Sequence, residues 1–182
     1  MIGHKLLSAL AVLSIALQGC MGSTNSILGG SEDLEVPEWE IGDWWLFTFT
    51  TPEFYDDSAR LVVATVDEEE DGTAYMLGIS SEEEARRHAV LNHNPFLGRI
   101  THSTLGVFEN GFEQSVLSFP LSSNSWTFTL FDVDWEARST LEGERAYVTA
   151  TGSDGGILTY TYDKSVGFIT SFVRKDSDGL EL

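Results

Sequence analysis

From Trp39 onward the chain alternates. In WWLFTFT, residues 44–50, Trp45, Phe47 and Phe49 fall on one side of an extended backbone, and Trp44, Leu46, Thr48 and Thr50 fall on the other. That is the two-residue period of a β-strand, and a helix cannot satisfy it. The pattern recurs at short intervals, in ARLVVATV (59–66), TAYMLGIS (73–80), GRITHSTLGVFE (98–109), FEQSVLSF (112–119), SWTFTLF (125–131), DWEARSTL (134–141), RAYVTAT (145–151), ILTYTY (157–162) and GFITSFVR (167–174). Turn-forming residues separate these runs. Asn110-Gly111 is the strongest, because both residues accept the positive φ of a type I′ hairpin. The acidic run DEEEDG, residues 67–72, predicts another hairpin turn.

About ten short strands at this spacing predict a mainly β fold, an antiparallel meander forming a half-barrel or barrel, with a sandwich as the alternative. One short helix is expected from Ser81. Ser81 and Glu84 make a capping box there, and Arg86, Arg87 and His88 lie toward its C-terminal end.

The first residues have a different character. Lys5 precedes an apolar run, Leu6–Leu17, interrupted only by Ser8 and Ser14. At roughly twelve residues this run is shorter than the about 20 needed to span a bilayer, and its layout is that of an export signal. Leu17-Gln18-Gly19-Cys20 resembles the lipobox of prokaryotic lipoproteins, with Leu at −3, Gly at −1 and Cys at +1. Gln18 departs from the small residue usual at −2. The resemblance covers about a tenth of the chain. It implies cleavage before Cys20, attachment of lipid to its thiol, and a location on the extracytoplasmic face of a cell membrane.

The expected organisation is therefore a signal peptide at 1–19, an anchor and flexible tether at 20–35, and one β-rich domain at 36–182. Cys20 is the single cysteine, so lipidation leaves no thiol for catalysis, disulfides or metal.

The net charge of −19 becomes −20 once Lys5 leaves with the signal, and Arg outnumbers Lys by seven to three. An acidic surface of this kind suits salty surroundings, where ions screen self-repulsion. It also argues against a nucleic-acid partner, because no basic patch is present.

Candidate sites are few. Asp132, Asp134 and Glu136 would share one face of a continuous strand and offer oxygen ligands to a hard cation. Burial of Trp126, Phe128 and Leu130 on the same face instead predicts a bend near Phe131. Asp67, Glu69, Asp71 and Gly72 imitate the start of an EF-hand loop, but its twelfth position is Gly78. His88, His93 and His102 have no zinc-ligand spacing. GISSE (78–82) lacks the second glycine of a nucleophile elbow. No cofactor is implied.

The aromatic residues remain. Trp44 and Trp45 must point to opposite faces, so both are buried only if both faces are covered. With Trp126 they are candidates for an apolar binding surface. The leading expectation is a non-catalytic β-module that binds an apolar or amphipathic ligand or a partner protein. Its architecture broadly resembles that of the half-barrel lipoproteins that carry or sense lipids, an analogy of fold class alone. A structural or assembly lipoprotein is the first alternative, and a carboxylate-dependent hydrolase the second.

Overall fold

In the computed structural model, which describes residues 33–50, 56–69, 72–81 and 94–182, eleven strands follow one another along the chain. They are β1 (Trp44–Phe49), β2 (Asp57–Glu69), β3 (Gly72–Ile79), β4 (Gly98–Thr101), β5 (Val107–Glu109), β6 (Phe112–Gln114), β7 (Ser125–Leu130), β8 (Val133–Glu142), β9 (Arg145–Gly152), β10 (Ile157–Asp163) and β11 (Phe168–Lys175). Each pairs antiparallel with a chain neighbour, giving a four-stranded sheet β1-β2-β3-β4, a hairpin β5-β6 and a five-stranded sheet β11-β10-β9-β8-β7.

The meander is thus present, as three sheets. Among the described residues β1 and β11 do not pair, so no barrel closes. The signal, the lipobox and the helix expected after Ser81 lie outside the described residues.

The turns explain the sheet boundaries. Asn110 (φ 51) and Gly111 (φ 83) form the expected two-residue loop between Glu109 and Phe112. The strand expected over 98–109 is broken by a turn at 102–106. There the Leu105 amide donates to Thr101 O at 2.8 Å, and Leu105 adopts a φ of 50°. The acidic hairpin is tighter than its composition suggests. Asp67 and Glu68 pair with Ala74 and Thr73, so these two acidic residues belong to the strand.

A second two-residue turn, at Phe131 and Asp132 (both φ 57), folds β7 directly onto β8. The sequence leads one to expect a bend or bulge near Phe131, or departure from the core there; a reverse turn stands in its place.

Both large sheets place alternate residues in one core. Leu61, Val63, Tyr75, Leu77 and Ile100 from the first sheet join Leu130, Trp135, Val148, Leu158, Tyr160 and Phe168 from the second. The segment around the β5–β6 hairpin adds Val107, Val116, Leu117 and Leu121. It also ties the sheets together: the Thr101 amide of β4 donates to Gly106 O at 2.9 Å, while on the other side Trp126 Nε1 of β7 donates to Ser115 O at 2.8 Å and the Tyr160 hydroxyl of β10 to Val116 O. Leu34, assigned to the tether by sequence, is buried and exchanges two backbone hydrogen bonds of 2.8 Å with Leu121. The folded unit therefore begins slightly before residue 36. No helix among the described residues is long and apolar enough to cross a membrane.

A candidate aromatic seam between the sheet edges

β1 and β11 are the outer strands of the two large sheets, and side chains link them. Trp45 and Phe47 on the inward side of β1 meet Phe168 at the start of β11, with ring centroids 4.7 and 5.8 Å apart. Trp39 lies 4.8 Å from Trp45, 5.0 Å from Tyr75 and 5.2 Å from Phe168. Phe96, just before β4, completes the group at 5.3 Å from Phe168 and 5.8 Å from Phe172. These separations fall in the range where aromatic pairs attract beyond simple burial.

Both indole N–H donors are engaged. Trp39 Nε1 donates to Gly167 O and Trp45 Nε1 to Val166 O, each at 3.0 Å. The β10–β11 turn receives both bonds. Its shape is set by Asp163, whose carboxylate accepts from Ser165 Oγ at 2.6 Å, Ser165 N at 2.9 Å and Arg145 Nε at 2.6 Å. These bonds, from Ser165 first and then Arg145, hold the Asp163 carboxyl below its ordinary range despite its burial.

Tyr75 accepts from the Trp39 amide at 2.9 Å. Burial, reinforced by Glu38 and Asp43, pushes its phenol up, and the Trp39 bond opposes this. The Tyr75 phenol is therefore neutral at neutral pH. Phe168 is buried at the centre of the seam, whereas Trp45, Phe47 and Phe172 are only partly covered. Such a surface offers π faces and apolar contact.

The aromatic residues named from sequence separate into three environments. Trp45 belongs to the seam. Trp44 points the other way and is 58 % exposed. Trp126 is on β7 in the other sheet, its indole bonded to Ser115, so the three do not form one platform. Trp39, Phe96, Phe168 and Phe172, which do line the seam, come from segments more than 120 residues apart at the extremes. No local pattern links them.

The carboxylates named from sequence also separate. Asp132 lies in the β7–β8 turn, where its Oδ1 accepts from Asn110 Nδ2 at 3.0 Å and its amide donates to Glu109 Oε1 at 3.1 Å. Asp134 accepts from Thr129 Oγ1 at 2.8 Å, and Glu136 stands exposed on β8. The turn removes Asp132 from the face that Asp134 and Glu136 share. Among the described residues no group of three His, Cys, Asp or Glu side chains stands close enough to hold a metal ion.

Comparison with protein-family models, with curated proteins and with solved structures returns no match.

Proposed function

We propose that this chain is a lipid-anchored extracytoplasmic protein whose β-domain binds an apolar or amphipathic ligand without transforming it. Lipid on Cys20 holds it to the membrane, and the aromatic seam receives the ligand. One observation carries the binding reading: among the described residues β1 and β11 share no backbone pairing and meet through rings, the partly covered Trp45 and Phe47 packing on the buried Phe168. An acyl chain or similar apolar body lying along Trp45, Phe47 and Phe172 would cover surface otherwise left to water. The acidic remainder of the domain suits a salty exterior.

Titration with cis-parinaric acid, read by energy transfer from tryptophan, tests the seam. Phe47→Asp places a charge on this partly covered face and is expected to weaken binding at least about tenfold, the effect of leaving a carboxylate against an apolar ligand. Undiminished binding by this variant refutes the assignment. The anchor has its own test, since Cys20→Ser is expected to abolish membrane association on fractionation. A mutant still found with the membrane contradicts the anchor.

A further inference from the structure

Three large apolar residues are exposed at the start of the first sheet, Ile41 in the turn before β1 and Trp44 and Leu46 on the outward side of β1. Ile41 is 66 %, Trp44 58 % and Leu46 61 % exposed. Their positions are well determined by the backbone. Ile41 stands at the tip of a turn closed by Asp43 N to Glu40 O (3.0 Å), Glu40 N to Asp43 Oδ2 (2.8 Å) and Gly42 N to Val63 O (2.9 Å). Trp44 and Leu46 follow on the paired strand, opposite Val62 and Arg60 of β2. Val62 is partly covered and extends the apolar surface beneath Trp44.

We infer that this face lies against the lipid bilayer to which Cys20 is attached, so that the domain rests on the membrane in one orientation. The inference rests on the anchor reading above. Pairing in the folded unit starts at Leu34, fourteen residues after Cys20. The tether expected from the sequence would span on the order of 20 Å by coil scaling, short enough to hold the domain near the lipid, and Ile41 follows Leu34 by seven residues.

Its size favours a tethered surface over a second copy of the chain. Three side chains expose at most a few hundred Å², against roughly 800 Å² per partner in a standard protein interface. A tether makes the encounter intramolecular, and a small contact then suffices. Tryptophan is also well placed at a headgroup boundary, where its ring is apolar on its faces and polar at one edge. Glu40 and Asp43 flank Ile41 in its turn, and the exposed Arg60 pairs opposite Leu46. Both signs border the patch on a strongly acidic chain, so the surface it fits is zwitterionic, and anionic lipid at low salt should repel the domain.

The test uses the full lipidated protein in phosphatidylcholine vesicles, with plain or brominated acyl chains. Tryptophan emission is expected to drop in the brominated vesicles, and the drop should disappear in Trp44→Phe. In Ile41→Ser/Leu46→Ser, which keeps Trp44, it should shrink at least twofold. Flotation of the same samples separates the two readings. Protein that fails to float overturns the anchor and this inference with it. Protein that floats but emits equally in both lipids overturns the inference alone, as does a drop that persists undiminished in Trp44→Phe. A second copy seated on the patch would give the equal-emission result.

Discussion

On β8, Trp135, Ala137 and Ser139 are buried while Asp134, Glu136 and Arg138 stand in solvent; on β1, the residues turned outward include Trp44 and Leu46. β7 and β9 of the same sheet keep this separation, and β11, at its edge, does not. β9 alternates buried Ala146, Val148 and Ala150 with exposed Arg145, Tyr147, Thr149 and Thr151. Its outer face has polar groups that water satisfies, so the sheet is a one-sided scaffold. The four-stranded sheet is apolar on both sides of its edge strand, and the inward side is only partly covered. The difference separates the part of the domain that holds the fold from the part suited to contact other molecules.

The largest expected effect tests whether the seam also joins the two sheets. Phe168→Ala removes the ring shared by Trp39, Trp45, Phe47 and Phe96, and should cost about 3–5 kcal/mol in urea unfolding. A loss below about 1 kcal/mol would mean that the edges hold together without it.

A smaller effect is expected at the hairpin that links the sheets. Gly111 has a φ of 83° with open space at its Cβ position, so the backbone conformation alone penalises a β-branched side chain. Gly111→Val should destabilise by about 1–3 kcal/mol. Equal urea midpoints for variant and wild type would contradict a tight turn there.

The pH dependence probes the five-stranded sheet from both ends. Asp163 has a lowered carboxyl pKa. It therefore contributes stability above the ordinary carboxylate value of about 3.9, and that contribution is lost as pH falls through its lowered folded value. Asp163→Asn should flatten the acid limb of a melting-temperature profile. Burial, with a smaller contribution from Asp163, pushes the Tyr162 phenol up to about 12, and burial raises that of Tyr160 as well. Their stabilisation is present below about pH 10 and is lost as pH rises through the folded values. Tyr162→Phe should weaken the alkaline loss. It should cost little at neutral pH, because the Tyr162 hydroxyl has no hydrogen-bond partner among the described residues. An unchanged alkaline limb would remove Tyr162 from this account.

The smallest effect is the most diagnostic of the comparison. Trp44→Ser should change unfolding stability by no more than about 0.5 kcal/mol, as for other solvent-facing positions. A loss of several kcal/mol would show that the outward face of β1 is covered by the protein itself.

How much of this was legible in sequence depends on how local the determinants are. Asn110-Gly111 was readable because both residues carry their own turn preference. The turn at Phe131-Asp132 was not, since phenylalanine disfavours positive φ and its support comes from elsewhere. Asn110 and Glu109 bond Asp132, and the Arg174 guanidinium lies 4.9 Å from the Phe131 ring centroid. The opposite orientations of Trp44 and Trp45 follow from strand alternation alone. That Trp45 joins Phe168 and bonds Val166, 121 residues away, depends on how the sheets meet. Strand periodicity carries no information about that.

Photolabelling with a diazirine-bearing fatty acid, followed by peptide mapping, tests the central claim most directly. Label concentrated on β1 and β11 peptides, at Trp45, Phe47 or Phe172, is the predicted result. Label confined to the polar outer face of β8 and β9, or none above that of an unrelated acidic protein, would contradict a ligand-binding seam.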